Sequence, residues 1–312
     1  MKIFEITKRP DRQLFTGSHD SNDFRVASCV RREPDGYANA RIVLLGCPQD
    51  EGVRRNRGRP GAGRGPEEVR RAFYKLAANE AIRTSNIFDL GDIVLGNTLE
   101  ETHAGLRQTV RRILEDGKLA IVLGGGNDIS YPDCAALADV KRNILVFNID
   151  KHFDVRDLQP GNSGTPYRQL LEEGLIDPGK FYEMGSEEFA NSPVYRDYLV
   201  DKGAHIHTLV ELRSQGIGAV FRKAVNETEH EAVFWGFDMD AVRAADAPGV
   251  SASYPTGLTA DEIITLAGIA GKDTVSGILE FTEVNPEVDI DNRTSKLTAL
   301  LIHTFLSSRK DG

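Results

Sequence analysis

The sequence predicts an α/β domain with three layers, in which helices cover both faces of a mainly parallel β-sheet. Eight short apolar runs recur along the chain, and segments with the spacing of amphipathic helices separate most of them. Such alternation is typical of βαβ units, in which each crossover packs a helix against the sheet. The runs are apolar at nearly every position rather than at every second one, which indicates strands buried on both faces.

The elements follow in order along the chain. The apolar runs predict strands at residues 42–45, 86–90, 119–123, 143–149, 181–184, 204–208, 232–237 and 277–281. Helical spacing predicts helices that include residues 67–76, 101–114, 261–270 and 295–306. Two helix starts carry suitable chemistry, since Pro66 fits a first turn and Thr259 can act as an N-cap. Residues 1–40 are polar and irregular, and no linker is evident, so we expect residues 1–312 to form a single domain.

The composition is that of a globular protein that binds neither membranes nor nucleic acid. Hydrophobic residues make up 40% of the 312 residues, and the formal net charge of −9 opposes general nucleic-acid binding. No segment approaches the ~20 apolar residues of a transmembrane helix, and the first residues do not resemble a signal peptide. Cys29, Cys47 and Cys134 form neither a disulfide framework nor a zinc knuckle, which favours the cytoplasm and leaves a redox role open.

A candidate metal site follows the fourth apolar run. Asp150, His152 and Asp154 alternate directly after it, and side chains two residues apart in an extended chain can point the same way. Open α/β sheets usually place their active sites at the carboxyl ends of their strands. Two carboxylates and an imidazole without thiolates favour manganese, magnesium or zinc. The alternative is a solvated acidic loop with one unrelated histidine.

A second acidic pair strengthens the metal interpretation. Asp238 and Asp240 follow the apolar run at residues 232–237 and lie two residues apart. Four carboxylates and one imidazole suit a pair of divalent ions about 3.5–4 Å apart, which can activate water and polarise the bond under attack. The alternative requires two buried strands to end in acids by coincidence.

Further candidates lie after two other strands. Asn127 and Asp128 follow three glycines, and either can supply one more oxygen ligand. The glycine run lacks Gly-Lys-Ser/Thr and GxGxxG spacing, so it gives little support to nucleotide binding. Glu283 follows the last predicted strand, where an acid at the mouth of a metal site can pair with a cationic amidine or guanidine. A simple strand-end glutamate is the alternative.

A basic cluster and a polar loop are the candidates for substrate binding. The cluster at residues 54–59 includes Arg55 and Asn56 and is either a solvated loop or one wall of a site that holds carboxylates. The loop at residues 162–169 begins with Asn162 and Ser163 and follows the metal motif closely. It is either a substrate-contact loop or a plain surface connection.

These segments resemble the arginase/agmatinase/formiminoglutamase family, the ureohydrolases. The resemblance covers residues 46–300 and rests on Gly52-Val53-Arg54-Arg55-Asn56-Arg57-Gly58-Arg59-Pro60-Gly61-Ala62, Gly65-Pro66-x-x-x-Arg70, glycines 124–126, Asp150-x-His152-x-Asp154, Asp238-x-Asp240, Ala247-Pro248-Gly249 and Glu283-Val284-Asn285-Pro286. It implies a three-layer α/β/α fold around an eight-stranded parallel sheet, a binuclear manganese (Mn2+) site and assembly into homo-oligomers.

The resemblance also implies a role for each metal ligand. Asp150 and Asp238 would bridge both manganese ions. Asp154 would complete one ion and orient the attacking hydroxide, and His152 with Asp240 would complete the other.

Two departures from the family pattern narrow the branch, and the second of them resembles formiminoglutamases. Asn127 stands where family members usually have a histidine ligand, and because an amide is a poorer donor for a transition metal, that ion is expected to bind weakly or to be held through water. Arginases carry Ser-Gly-Asn-x-His where this chain has Ser163-Gly164-Thr165-Pro166-Tyr167-Arg168-Gln169. With Arg55 and Asn56, this pattern makes Arg168 the candidate for binding a substrate carboxylate.

The resemblance implies hydrolysis of N-formimino-L-glutamate to L-glutamate and formamide, a step of histidine degradation. Glu283 would hold the imino nitrogen, and Asn162 and Ser163 would contact the substrate. One alternative is a hydrolase of the arginase or agmatinase type, or of another guanidino compound. The other is a metal-poor, catalytically silent relative that serves as a binding or oligomer-forming subunit, which Asn127 suggests.

Overall fold

A nine-stranded sheet organises the chain in the computed structural model, which describes residues 3–15, 20 and 22–309. Its strands are β1 (Thr7–Lys8), β2 (Ile42–Gly46), β3 (Ile87–Ile93), β4 (Leu119–Leu123), β5 (Ile144–Ile149), β6 (Phe181–Ser186), β7 (His205–Thr208), β8 (Ala232–Asp238) and β9 (Ser276–Thr282). The spatial order is β1-β3-β2-β4-β9-β8-β5-β6-β7. Strands β2 to β9 are parallel, so the predicted eight-stranded parallel sheet is confirmed.

The ninth strand lies in the segment expected to be irregular. β1 pairs antiparallel with β3 at the edge of the sheet, where Thr7 faces Ile93. Two residues are too few to show an alternating or apolar pattern, so nothing in the local sequence marks them as a strand. Short 3-10 helices make up much of the remaining described structure before residue 40.

Helices cover the sheet in the described part of the chain. They are α1 (Glu51–Arg55), α2 (Gly65–Phe73), α3 (Glu80–Thr84), α4 (Leu99–Glu115), α5 (Ser130–Val140), α6 (Pro166–Glu172), α7 (Pro193–Lys202), α8 (Leu209–Gln215), α9 (Ile217–Glu227), α10 (Ala260–Lys272) and α11 (Arg293–Ser308). The Thr259 hydroxyl accepts from the Glu262 N–H and so caps α10 as predicted. Among the described residues, none of the helices combines the length and apolar content needed to cross a bilayer.

Two hydrophobic cores confirm the three-layer arrangement. Residues of α2 and α8–α11 pack on one face of the sheet, and residues of α4–α7 pack on the other. In β2, Ile42 and Leu44 contribute to the first core, whereas Val43 and Leu45 contribute to the second. Because neighbouring side chains on a strand point to opposite faces, a strand covered on both sides must be apolar throughout.

The cysteines are free thiols in different settings. Cys47 and Cys134 are buried, and Cys29 is partly exposed. Burial raises the pKa of the Cys47 and Cys134 thiols well above the usual value. Both are therefore held in the protonated, unreactive form.

Candidate metal centre

The predicted metal-binding side chains meet at the carboxyl ends of four adjacent strands. β4, β9, β8 and β5 are neighbours in the middle of the sheet. Asn127, Asp150, Asp238 and Glu283 lie at or just beyond the ends of these strands. The sheet thus brings together residues that are far apart in the sequence, at the edge where α/β proteins build their active sites.

The Asp150 segment places an aspartate and a histidine side by side. Asp150 is completely buried, and its Oδ1 accepts a hydrogen bond from the His152 N–H at 2.8 Å. The His152 Nδ1 atom lies 3.4 Å from Asp150 Oδ1 and 3.3 Å from Asp240 Oδ2. One ring nitrogen therefore faces two carboxylates that come from different strands.

The Asp238 segment is built in the same way. Asp238 is 2% exposed and Asp240 is 3% exposed, and the Asp238 Oδ1 atom accepts from the Asp240 N–H at 2.8 Å. Both carboxylates lie beside the Asp150 segment, because β5, which precedes that segment, pairs with β8.

Two overlapping groups of ligand atoms result. Asp150, His152 and Asp240 form one group, and Asp150, Asp154 and Asp238 form the other, with each group's ligand atoms within 4.8 Å of one another. Asp150 belongs to both groups. Such an arrangement suits two divalent ions that share a carboxylate.

The electrostatics of the site favour cation binding. Burial, followed by the charge of Asp240, raises the pKa of Asp150 and of Asp238. Burial and Asp150 raise the pKa of Asp154 well above its usual value. Burial lowers the pKa of His152, but Asp240 and Asp150 outweigh that effect and raise it overall. Crowded carboxylates of this kind are costly to keep ionised without a compensating cation.

Unpaired buried oxygens point to the same conclusion. Asp150 Oδ2, Asp240 Oδ1 and Glu283 Oε2 are buried and have no hydrogen-bond partner among the described residues. Buried polar atoms are normally satisfied, so three orphaned oxygens around one point need an explanation. Divalent ions and a polar ligand would satisfy them, and the donor set fits a hard or borderline divalent cation.

Asn127 lies at the site with its amide nitrogen directed at a carboxylate. Its Nδ2 donates to Asp154 Oδ2, whereas its Oδ1 accepts from the hydroxyls of Ser130 and Thr282, both at 2.9 Å. The side-chain oxygen, which is the atom able to ligate a cation, is thus already engaged by two donors. Asp128 points elsewhere, since its Oδ2 lies 2.7 Å from both Gln49 Nε2 and His103 Nε2.

Glu283 closes the site from the end of β9. It is 4% exposed, and its Oε1 accepts from the Asn127 N–H at 3.0 Å, which leaves Oε2 free. Its own N–H donates to the Gly125 carbonyl oxygen at 2.8 Å. Gly125 has no room for a side chain, because a Cβ there would lie 1.5 Å from the Gln49 carbonyl oxygen.

Two acidic residues of the site have an unusual backbone conformation. Asp154 has φ of 48° and Glu283 has φ of 63°. Non-glycine residues in this region carry strain and persist only where the surroundings hold them, which happens most often at functional sites.

These side chains line a cavity of about 320 Å³. Its acidic part is formed by Asn127, His152, Asp154, Asp238, Asp240 and Glu283. The remaining wall is formed by Asn56, Arg57, Gly58, Arg59, Arg156, Ser163, Ser251 and Ala252. The basic cluster predicted at residues 54–59 therefore does contribute a wall, and Asn56 binds Ser163 across it at 3.0 Å.

Three predicted substrate residues lie outside this cavity. Arg168 pairs with Asp157 and Glu172, and its guanidinium lies over the ring of Tyr198 at 4.2 Å. Arg55 pairs with Glu51 and Glu100. Asn162 stabilises its own loop, accepting from the Gly164 N–H at 3.0 Å and donating to the Pro160 carbonyl oxygen at 3.3 Å.

Arg156, Ser251 and Ala252 line the cavity without having been predicted. Arg156 continues the alternation of Asp150, His152 and Asp154 by one more step, which is a signal that the sequence does contain. Its Nη1 donates to Asn56 Oδ1 at 3.1 Å, so it stands beside the basic wall. Ser251 accepts at Oγ from the Arg59 N–H at 2.8 Å, a contact between distant segments that only the fold creates.

The comparisons with known proteins agree with this geometry. The family model "Arginase family" matches residues 40–307. The formimidoylglutamase of Rhodococcus jostii is 32% identical over 308 residues, covering 93% of this chain and 92% of the relative. The crystal structure of Trypanosoma cruzi formiminoglutamase with Mn2+ superposes with a TM-score of 0.86 at 32% identity, covering 92% of this chain and all of that one. The Bacillus subtilis formimidoylglutamase structure, at 27% identity, also gives 0.86, and the alignment covers 94% of each chain. The chain belongs to the arginase family.

Proposed function

We propose that the protein is a manganese-dependent formimidoylglutamase that hydrolyses N-formimino-L-glutamate to L-glutamate and formamide. The observation that carries this proposal is the divided charge of one cavity. Carboxylates line one end, where a cationic formimino group fits, and arginines line the other, where substrate carboxylates fit. Relatives that cover most of this chain are named for the same activity.

The proposed metal ligands follow the two groups of side chains. Asp150, His152 and Asp240 would hold one manganese ion, and Asp150, Asp154 and Asp238 the other. A bound pair of divalent ions supplies Lewis acidity and lowers the pKa of water toward neutrality. Asn127 would act through Asp154, holding its Oδ2 by hydrogen bonding rather than ligating an ion itself.

Glu283 is the proposed partner of the formimino nitrogen. Burial, with a smaller contribution from Asp240, raises its pKa to about 8 in the metal-free protein. A cationic amidine beside Oε2 stabilises the ionised carboxylate and lowers its pKa again. The bond from the Asn127 N–H to Oε1 fixes the direction in which Oε2 points. Asp154, whose Oδ2 accepts from the Asn127 side chain, can accept a proton from the attacking water.

Substrate carboxylates are proposed to bind at the basic wall. Arg156 and Arg57 are exposed side chains that line the cavity. The guanidinium of Arg59 is already engaged by the Val250 and Ser251 carbonyl oxygens, at 2.6 and 2.8 Å. Arg156 and Arg57, which line the cavity together with Asn56 and Ser163, are therefore the better candidates to bind the carboxylates.

A second candidate function is hydrolysis of a guanidino acid. Glu283 and the carboxylate cluster would accept a guanidinium as well as a formimino group, because both are planar cations with N–H donors. Only the length of the substrate and the position of its carboxylates would distinguish the two.

The experiment that tests the proposal is a substrate panel with manganese-loaded protein. N-formimino-L-glutamate should give the highest kcat/KM, with release of formamide. Equal or faster turnover of arginine, agmatine or a guanidino acid would replace this assignment with the second one. A catalytically silent relative would turn over none of them and would retain no manganese after dialysis.

We also propose that the protein acts in the cytoplasm as a homo-oligomer. Three free cysteines fit a reducing compartment, and the family resemblance implies oligomers. Size-exclusion chromatography with light scattering tests the assembly, and a monomeric mass at micromolar concentration would contradict it.

A further inference from the structure

The backbone of the metal motif is held by a side chain from another segment. Asn191 follows the 3-10 helix Glu188–Ala190, and its Oδ1 accepts a hydrogen bond from the Phe153 N–H at 2.9 Å. Its Nδ2 donates to the Lys151 carbonyl oxygen at 2.7 Å and to the Glu187 carbonyl oxygen at 3.0 Å. Both ends of one carboxamide thus bind the two residues that alternate with the ligands.

These bonds extend the ladder between β5 and β6 beyond the strand ends. The last main-chain bonds run from the Asp150 N–H to Met184 at 3.2 Å and from the Glu187 N–H to Lys151 at 3.1 Å. β6 ends at Ser186, and the chain then turns into the short 3-10 helix. At Phe153 the Asn191 side chain therefore takes the place of a main-chain partner.

Fixing these peptides also fixes the direction of the ligands. The Lys151 carbonyl and the Phe153 N–H belong to the two peptide groups that flank His152, so the bonds from Asn191 restrain the backbone that carries His152 between Asp150 and Asp154. This restraint counters two effects that would otherwise displace the ligand side chains. Ligand atoms of Asp150 and Asp154 lie within 4.8 Å of each other, where like charges repel, and Asp154 has the strained φ of 48°.

We propose that Asn191 is a positioning residue for the metal centre, which holds the ligand segment so that Asp150, His152 and Asp154 face the same pair of ions. The inference rests on the proposed manganese site. Asn191 acts through the backbone and does not belong to either group of ligand atoms. Removing groups that orient metal ligands typically weakens metal binding by about 10- to 100-fold.

The test is a manganese titration of metal-free protein, with free Mn2+ followed by electron paramagnetic resonance. Asn191→Leu has a similar shape and removes all three hydrogen bonds. Asn191→Asp keeps the acceptor for Phe153 but loses the donor to Lys151 and adds a negative charge. That charge alone would strengthen binding of a cation, whereas loss of the bonds weakens it. We expect Kd to rise about 10- to 100-fold in Asn191→Leu and to rise also in Asn191→Asp.

Asn79→Ala is the matched control. Asn79 caps α3 by accepting from the Ile82 N–H at 3.0 Å, and it also donates to the Ser307 hydroxyl at 2.7 Å, both away from the metal centre. This variant should lower the melting temperature and leave the manganese Kd unchanged. A purely structural role for Asn191 would give the same pattern.

Several outcomes would overturn the proposal. An unchanged Kd in folded Asn191→Leu, or tighter binding in Asn191→Asp, would contradict the positioning role. If neither variant folds, hydrogen exchange of the wild-type protein decides, since a Phe153 amide that exchanges as fast as an exposed one is not held by Asn191. Absence of manganese binding by the wild type would instead defeat the proposed function.

Discussion

Replacing Glu283 with glutamine tests the acidic end of the cavity by changing one atom. The Glu283→Gln side chain can still accept from the Asn127 N–H at Oε1, so the local fold should persist. The free Oε2 becomes an amide nitrogen, which removes the charge opposite the formimino group and places a donor against its N–H. Losing one partner of a buried, charged hydrogen bond costs about 2–5 kcal/mol, or roughly 30-fold to several-thousand-fold in kcat/KM.

The same substitution changes stability in the opposite direction. In the metal-free fold, burial raises the pKa of Glu283 from its ordinary value of 4.5 to about 8. A raised acid pKa means that the folded protein binds more protons than the unfolded chain between these values, so stability falls as the pH rises through that window. Glutamine removes this penalty. Metal-free Glu283→Gln should therefore be more stable than the wild type at pH 8, and the difference should shrink toward pH 4.5.

Two measurements test these predictions for Glu283→Gln. Formamide release at saturating manganese gives kcat/KM, and urea unfolding at the two pH values gives the stability difference. Glu287→Gln is the control, because Glu287 is exposed and pairs with Arg64 on the surface, at 2.6 Å. Wild-type kcat/KM in Glu283→Gln, or a loss of metal-free stability at pH 8, would refute the reasoning.

Three other predictions concern the cavity and the ions. Arg156→Gln should raise KM for formiminoglutamate about 10- to 150-fold, which corresponds to the loss of one charged hydrogen bond, while kcat changes little. Arg168→Gln, which lies outside the cavity, should leave KM unchanged. A raised KM in Arg168→Gln with an unchanged KM in Arg156→Gln would show that Arg168 binds the substrate carboxylate. Asp150→Ala or Asp238→Ala should abolish formamide release at any manganese concentration, because Asp150 is proposed to bind both ions and Asp238 one of them, and substantial residual turnover would argue against a binuclear mechanism. Asn127→His should raise manganese occupancy after dialysis, since imidazole is a better donor than an amide; unchanged occupancy would show that the residue does not limit metal binding.

The fold was predictable because its strands are buried on both faces. Continuous apolar runs such as residues 143–149 are rare outside such strands, and the helical segments between them require parallel crossovers. β1 could not be found in this way. Its two residues pair with β3, more than eighty residues further along the chain, and only the assembled sheet creates that pairing.

The acidic end of the site was predictable for a related reason. Its aspartates lie two residues apart directly after strands that the sequence predicts, so the topology of the sheet brings them together. Substrate residues on loops follow no such rule. Arg168 lies on α6 and pairs with Asp157 and the ring of Tyr198, whereas Arg156, two residues after Asp154, lines the cavity.

A crystal structure with manganese, recorded at the manganese absorption edge, tests the central claim most directly. Two anomalous peaks should appear about 3.5–4 Å apart, the spacing of paired catalytic metals. Both should contact Asp150, with His152 and Asp240 at one peak and Asp154 and Asp238 at the other. A single peak at saturating manganese, or two peaks without a shared Asp150, would contradict the account.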